Sequence, residues 1–295
     1  MVGVENVQVQ NRLQFQFTNP DRLQVLQRFH SMLNWLSSLL RFPGTRPKSI
    51  PDALWRQTLA HYPFLAQRTA DEKRRLRSLT AQFLAQKEFT GAHDLVVTDE
   101  MAVAVAAQAC LPLLHWGSKG LRLYDDFKGI VLHPGAMLAR RQRRDAAGVV
   151  HDYSEALSGE AMQGGPITLS WQDVAASGAL ATQGHNVVIH EFIHKLDMRD
   201  GQPNGCPPLP SRVAKAAWQS AMQAAFGSFR TQVAMADRFG GEPPWLNAYG
   251  ATSPAEFFAV ASEAYFVNRP RFTQDFSALT ALFDEFFDKK SLVHL

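Results

Sequence analysis

The segment from Asn186 to Asp197 constrains the fold more than any other part of this chain. It contains an H-E-x-x-H motif, His190-Glu191-Phe192-Ile193-His194, inside an apolar run. Residues four apart lie one turn above each other on an α-helix, so both imidazoles can reach one metal ion. Glu191 lies roughly a quarter of a turn away, where its carboxylate can reach a metal-bound water without being a ligand. The motif therefore predicts the active-site helix of a metallopeptidase.

The same segment predicts a second, buried face of this helix. Asn186 is a suitable N-cap, because its side-chain oxygen can accept an otherwise unpaired backbone N–H. Two ordinary histidines on a half-buried helix are the alternative interpretation, but a chance match in a chain with ten His is expected on the order of once in a hundred such sequences. The buried face is formed by Val188, Ile189, Phe192, Ile193 and Leu196.

Length and net charge limit the size of the core and argue against a nucleic-acid-binding protein. The 295 residues, 46% hydrophobic and 19% charged, suffice for one large core, or for one core with a small subdomain. The net charge is only +3, and the basic clusters at Lys73–Arg77 and Arg140–Arg144 are too local for a nucleic-acid-binding domain. We interpret both clusters as solvated helix faces or loops and expect no direct contact with nucleic acid.

The cysteines and the apolar segments indicate the compartment. Cys110 and Cys206 provide no disulfide framework, which favours a reducing environment. The first five residues lack a basic n-region, and the apolar segment from Met32 to Leu40 is too short and too polar to span a bilayer. We expect a soluble, cytoplasmic protein without membrane contact.

The chain divides into an N-terminal extension, residues 1–45, and one domain, residues 46–295. The extension is rich in Gln and Asn and carries a short amphipathic helix pattern before Pro43. Either Met32 is the true start, or this helix packs on the domain or on a partner. The remainder contains no internal repeat and no linker that would split it.

Several helices are predicted from capping and periodicity. Thr69 and Glu72 form a capping box before an amphipathic helix that includes Leu84. The other predicted helical segments are Pro47–Phe64, broken at Pro51 and Pro63; Asp99–Leu114, buried on most sides; and Ser211–Phe226.

Short apolar runs between Gly, Pro and Asp residues predict strands of one small sheet. Together with the helices they define an α+β fold, mainly helical with a small mixed sheet. The last run ends shortly before the H-E-x-x-H helix, so we expect an edge strand along the cleft where an extended peptide pairs. The four runs are Leu121–Tyr124, Gly129–His133, Gly148–His151 and Pro166–Trp171.

The third metal ligand is left open by spacing alone. A glycine and a histidine three and six residues after His194 would define the metzincin pattern, but Asp197 and Asp200 stand there. A glutamate on a later helix is the other common solution. Glu256 follows Ser253 at the spacing of a capping box, which needs no metal, and Glu263 lies two turns further on the same face. Both remain candidates.

Three blocks in matching order carry a family resemblance: Gly165–Val174, His190–Asp197 and Tyr249–Phe266. Together they resemble the Mlc titration factor A family, bacterial cytoplasmic zinc peptidases whose catalytic core is similar to the C-terminal domain of anthrax lethal factor. The resemblance covers roughly residues 50 to 290 and leaves out the N-terminal extension. It implies that residues 46–295 form a zincin-like metallopeptidase domain.

The resemblance also implies roles for individual residues. Zinc would be held by His190, His194 and Glu256, with Glu191 as general base and Tyr249 assisting as an oxyanion donor. Glu263 then supports the site from outside the ligand set, as would Asp197, on the same helix stripe as both histidines, by orienting a ligand imidazole.

The resemblance implies aminopeptidase-like activity on peptides with small or apolar ends. The alternative that it implies is a regulatory protein that sequesters a transcriptional repressor of the Mlc type. A purely structural zinc site is disfavoured, because such a site closes its fourth position with Cys or His and no suitable pair is present.

Overall fold

The computed structural model describes residues 49–144, 150–201 and 203–288 of the chain. The amphipathic pattern before Pro43 therefore lies outside the described residues. The fold is α+β, mainly helical with a small mixed sheet, as predicted. Its helices are α1 Asp52–His61, α2 Pro63–Ala66, α3 Ala70–Leu84, α4 Asp99–Cys110, α5 Trp171–Leu180, α6 Val187–Asp197, α7 Arg212–Phe239, α8 Pro254–Val267, α9 Arg269–Asp275 and α10 Ser277–Phe287.

The helix starts follow the local sequence signals. Thr69 accepts from the Glu72 N–H and the Glu72 carboxylate accepts from the Thr69 N–H, which confirms the capping box before α3. Helix α4 is buried along nearly its whole length, as its nearly uncharged composition predicts. Helix α7 is longer than predicted and continues to Phe239, where Gly240 ends it in a left-handed conformation.

A four-stranded sheet lies beside α6. It has the order β1-β2-β6-β5, where β1 is Glu88–Gly91, β2 Gly129–His133, β5 Gly159–Ala161 and β6 Ile167–Ser170. The first three strands in this order are parallel, and β5 runs antiparallel to β6. The sheet is therefore mixed, and β5 forms the edge nearest α6.

Three details of the predicted sheet are wrong. Leu121–Tyr124 is part of a 3₁₀ helix, Gly117–Tyr124, whose Tyr124 hydroxyl donates to Ala109 O of α4. A run of four residues has no decisive period, so tertiary packing, here of Tyr124 against Phe83 of α3 and Phe192 of α6, determines its conformation. The run at 148–151 enters a separate two-stranded hairpin through its described residues Val150 and His151, since β4, Val150–Leu157, pairs with β3, Met137–Arg144.

The third detail concerns the edge strand. Strand β6 lies between β2 and β5, so the predicted edge strand is an interior one. The actual edge, Gly159-Glu160-Ala161, contains no β-branched or aromatic residue and gives no strand signal. The basic run Arg140–Arg144 was expected on a helix face or loop and instead lies in β3, where it pairs with the next strand of the chain, β4; a charge pattern does not show this pairing.

The core surrounds the buried face of α6. The Phe192 ring lies 5.0 Å from the ring of Tyr124, 5.7 Å from Phe83 and 5.9 Å from Phe127, measured between centroids. Helix α8, almost entirely buried, packs along another side of α6. Helix α6 is thus held by aromatic residues and by α8, which fixes the side chains on its remaining face.

Cys110 and Cys206 are both free and buried. Within the described ranges, no single helix is long and apolar enough to cross a membrane. One pair in the same described part of the chain, Asp99–Leu113 and Gly117–Tyr124, bent by 108°, reaches that length and hydropathy when its two parts are taken together.

Candidate metal centre

Helix α6 begins as its sequence predicts and carries both histidines on its cleft face. The Asn186 side chain accepts the Ile189 N–H at 2.9 Å, and its own amide donates to Gln108 of α4 at 2.7 Å. The His190 and His194 rings lie one turn apart in an edge-to-face arrangement, with centroids 4.8 Å from each other and an angle of 79° between the ring planes. The N-cap therefore fixes where the helix starts, and with it the position of both imidazoles along the cleft.

Three potential ligand atoms converge beside α6. His190 Nε2 lies 3.1 Å from His194 Nε2 and 3.1 Å from Glu256 Oε2, and His194 Nε2 lies 3.2 Å from the same carboxylate oxygen. The side chains of His190, His194 and Glu256 are 14%, 13% and 20% exposed. The three residues form a compact triangle that is open to the cleft on one side.

The triangle fits a zinc ion. Tetrahedral zinc with bonds of about 2.0–2.1 Å holds its ligand atoms about 3.3 Å apart, close to the separations of the triangle. Two imidazole nitrogens and one carboxylate oxygen form a donor set that zinc accepts readily, and three protein ligands leave a fourth position for chemistry. Among the described residues, the cluster of His190, His194 and Glu256 is the one group with metal-binding geometry.

Glu256 and Glu263 have different positions around the same imidazole. Ser253 caps α8 by accepting the Glu256 N–H at 3.2 Å, but the Glu256 carboxylate points to the histidines, so the predicted capping box is only half formed. Glu263 accepts from His190 Nδ1 at 2.7 Å and from the Asn186 N–H at 2.5 Å. A neutral His190 that donates from Nδ1 has its lone pair on Nε2, facing the triangle.

The carboxylates around His190 change its pKa. Burial alone lowers the pKa of His190, but the charge of Glu263 and hydrogen bonds with Glu256 and Glu263 outweigh it and raise that pKa well above the usual range. Burial alone raises the pKa of Glu256, whereas hydrogen bonds with His190 and His194 hold it well below the usual range. Glu256 is therefore an anion at neutral pH, as a metal-ligating carboxylate must be.

Glu191 lies next to the triangle and is buried. Its side chain lines the same cleft as the two histidines, and the residue is 4% exposed. Burial raises the pKa of the Glu191 carboxyl, and the positive charges of His190 and His194 only partly offset this. A carboxylate with a raised pKa is better matched to accepting and returning a proton near neutral pH.

Tyr249 lies at the rim of the cleft. It belongs to a short 3₁₀ helix, Ala248–Ala251, that Asn247 caps. The Tyr249 ring centroid is 6.3 Å from that of His190, and the residue is 41% exposed. The predicted tyrosine therefore stands beside the metal-binding cluster but remains in contact with solvent.

Asp197 does not have the predicted position. Its two carboxylate oxygens accept the backbone N–H groups of Gly205 and Cys206, each at 2.8 Å. The prediction that Asp197 orients a ligand imidazole is wrong, because the loop that follows α6 folds back and uses both oxygens. Glu263, from a helix distant in sequence, contacts His190 instead.

The cleft itself has a volume of about 830 Å³. One wall is α6, and another is the edge strand β5. Ser170 N–H donates to Ser158 O at 2.7 Å, so alternate residues bond to β6 and the backbone groups of Gly159 and Ala161 face the open edge. Sequence reasoning missed β5, although a substrate-pairing edge was expected.

Comparisons with known proteins agree with this description. The family model described as glucose-regulated metallo-peptidase M90 matches residues 40–288, and the chain belongs to this metallopeptidase family. Mlc titration factor A of Serratia proteamaculans (strain 568) is 36% identical over 251 residues, which cover 85% of this chain and 92% of the relative.

Two further relatives extend the match. Mlc titration factor A proteins of Yersinia pestis (strain Pestoides F) and Yersinia pseudotuberculosis serotype O:1b (strain IP 31758) are both 34% identical over 266 residues, covering 90% of this chain and 93% of each relative. The resemblance to the Mlc titration factor A family is thereby confirmed.

Proposed function

We propose that this protein is a cytoplasmic, zinc-dependent metallopeptidase of the aminopeptidase type. The observation that carries the proposal is the convergence of His190, His194 and Glu256 on one point, with the Glu191 carboxylate beside it. Membership of a metallopeptidase family supports the same reaction class. The preferred substrates are peptides with small or apolar amino-terminal residues.

Each residue of the cluster has a distinct task. His190, His194 and Glu256 hold the zinc ion, and Glu263 fixes the tautomer of His190 through Nδ1. When bound, zinc supplies Lewis acidity that polarises a carbonyl and lowers the pKa of water. Glu191 accepts the proton of the attacking water and returns it to the leaving amine.

Tyr249 and β5 act on the substrate. The Tyr249 hydroxyl donates a hydrogen bond to the oxyanion that develops on the scissile carbonyl. Gly159 and Ala161 offer backbone N–H and C=O groups to an extended peptide, which pairs with the edge of the sheet. This pairing holds the scissile bond above the side chain of Glu191.

The test is the turnover of reporter peptides with amino-terminal alanine or leucine, measured with zinc content for each variant. Glu191→Gln is expected to retain zinc and lose about a hundredfold to ten-thousandfold in rate. Tyr249→Phe is expected to lose about tenfold to a thousandfold. Glu242→Gln, which changes an exposed glutamate outside the cleft, is the matched control.

Two results would overturn the proposal. Equal hydrolysis by wild type and Glu191→Gln would assign the activity to another protein in the sample. Equal turnover of amino-terminally acetylated peptides would contradict the aminopeptidase type, because acetylation removes the free amino group that an aminopeptidase requires.

A second function is favoured by the names of the relatives. Proteins called Mlc titration factor A cover nearly the whole chain, and we propose that this protein also binds a transcriptional repressor of the Mlc type. The test is a pull-down of purified Mlc-type repressor with wild type and with Glu191→Gln. Binding by both variants supports a role that does not depend on hydrolysis, and absence of binding by wild type contradicts it.

A further inference from the structure

We propose that Gly159 of β5 is a positioning residue that makes room for the carboxylate of Glu191. The inference rests on the proposed function, since Glu191 is the general base of that reaction. It assigns a role to an edge-strand residue that carries no side chain and that gave no signal in the sequence.

The geometry shows why a side chain does not fit. A Cβ atom built on Gly159 would lie 2.5 Å from Glu191 Oε1, 2.6 Å from Cγ and 2.8 Å from Cδ. Non-bonded carbon contacts prefer about 3.5–4.0 Å, so all three distances are severe overlaps. Gly159 is absent from the glycines with positive φ, so its backbone conformation is open to any residue. The requirement for glycine is therefore one of space alone.

The pairing of β5 determines which group would move. Gly159 is opposite Leu169 in the register with β6, and the neighbouring Ser158 carbonyl accepts the Ser170 N–H at 2.7 Å. The strand is thus held by backbone hydrogen bonds. The atoms that meet the added Cβ are Cγ, Cδ and Oε1 of the Glu191 side chain, which can rotate, and none of them belongs to a backbone. An alanine at position 159 would displace this carboxylate before it displaced the strand.

Displacement of Glu191 has a chemical consequence. A general base must lie within hydrogen-bond reach of the proton that it accepts, and a misplacement of about 1 Å costs on the order of a hundredfold in rate. Alanine keeps the backbone N–H and C=O that Gly159 offers to an extended substrate. The loss is therefore expected in kcat rather than in KM.

The first experiment measures Gly159→Ala with the reporter peptides. We expect unchanged zinc content, a KM within about threefold of wild type and a kcat lower by about tenfold to a hundredfold. Gly129→Ala is the matched control, because a Cβ there meets only Pro166 Cβ at 3.5 Å, an ordinary contact in the same sheet. Wild-type kcat in Gly159→Ala would overturn the inference, as would a loss caused only by missing zinc.

A double-mutant cycle separates positioning from a general effect on the strand. Glu191→Ala removes Cγ, Cδ and Oε1, the three atoms that the added Cβ would overlap. Adding Gly159→Ala to Glu191→Ala should then cost less than about threefold in the residual kcat, so that the two changes are strongly non-additive. Additive losses would mean that Gly159 acts independently of Glu191, which contradicts the inference.

A third measurement does not use activity. In the zinc-free protein, Gly159→Ala should lower Tm by about 2–10 °C when Glu191 is present and leave it unchanged or higher in a Glu191→Ala background. Equal shifts in both backgrounds would overturn the inference about Gly159. Absence of turnover in the wild type with the Tm coupling intact would instead overturn the proposed function.

Discussion

Two sides of α6 carry polar residues, and they differ in whether other groups of the protein use all the hydrogen-bonding atoms of those residues. Lys195 is fully buried, and its ammonium donates to Asp126 and to the carbonyls of Met162 and Gly165, which uses all three of its donors. Asp197 is equally buried and accepts two backbone N–H groups.

The cleft side of the same helix is different. His190 Nε2, His194 Nε2 and Glu256 Oε2 lie 3.1–3.2 Å from one another beside the open cleft. Burial of charge therefore does not distinguish the functional residues of this helix from the structural ones. Convergence of three potential ligand atoms around one point that a metal ion can occupy does distinguish them.

The largest effect in this comparison is expected from the histidines. His190→Ala and His194→Ala should each lose stoichiometric zinc while the fold survives, because the core is already large before the metal binds. Metal analysis and thermal unfolding of the zinc-free proteins provide the measurement. His185→Ala, which lines the same cleft outside the triangle, should retain zinc. Full zinc occupancy in both histidine variants would refute the site.

Glu256 and Glu263 of α8 contact the two ring nitrogens of His190, so substitutions at these glutamates separate a metal ligand from a residue that supports a ligand. Glu263→Gln should weaken zinc binding by about tenfold to a hundredfold, as expected for a residue that supports a ligand from behind. Glu256→Gln should weaken it more, since it removes an anionic ligand. Competition with a chelator of known affinity measures both. If Glu263→Gln strips the metal and Glu256→Gln does not, the assignment of the two residues is reversed.

Lys195→Met tests the side of α6 whose hydrogen bonds the protein itself satisfies. We expect the free energy of unfolding to fall by about 1–3 kcal/mol, because Asp126 and two backbone carbonyls lose their donor. Zinc stoichiometry should not change, since the ammonium faces away from the triangle. Denaturant unfolding and metal analysis of the same sample check this. Loss of zinc from the folded variant would contradict the separation of α6 into a metal-binding side and a structural side.

The smallest effect is expected from the cap of α8. Ser253→Ala removes the acceptor for the Glu256 N–H and should cost about 0.5–2 kcal/mol in unfolding free energy, with zinc retained. This variant distinguishes the backbone of Glu256, which the cap serves, from its carboxylate, which points to the histidines. Zinc loss as complete as in Glu256→Gln would show that the cap and the ligand are not separable.

The sequence by itself determined the elements that depend on neighbouring residues. The N-cap and buried face of α6, the capping box of α3 and the burial of α4 all follow from spacing within a few turns. Strands β2 and β6 also coincide with predicted apolar runs. These signals are local, so one chain segment contains the whole of each.

The tertiary structure alone decided which distant groups meet. Spacing left Glu256 and Glu263 equivalent, and the packing of α8 on α6 directs one carboxylate to His190 Nε2 and the other to Nδ1. Asp197 was assigned to an imidazole, but the returning loop occupies its oxygens. Strand β5 has no propensity signal and exists because β6 pairs with it. Such contacts join residues far apart in the chain, and their geometry depends on packing that no local pattern encodes.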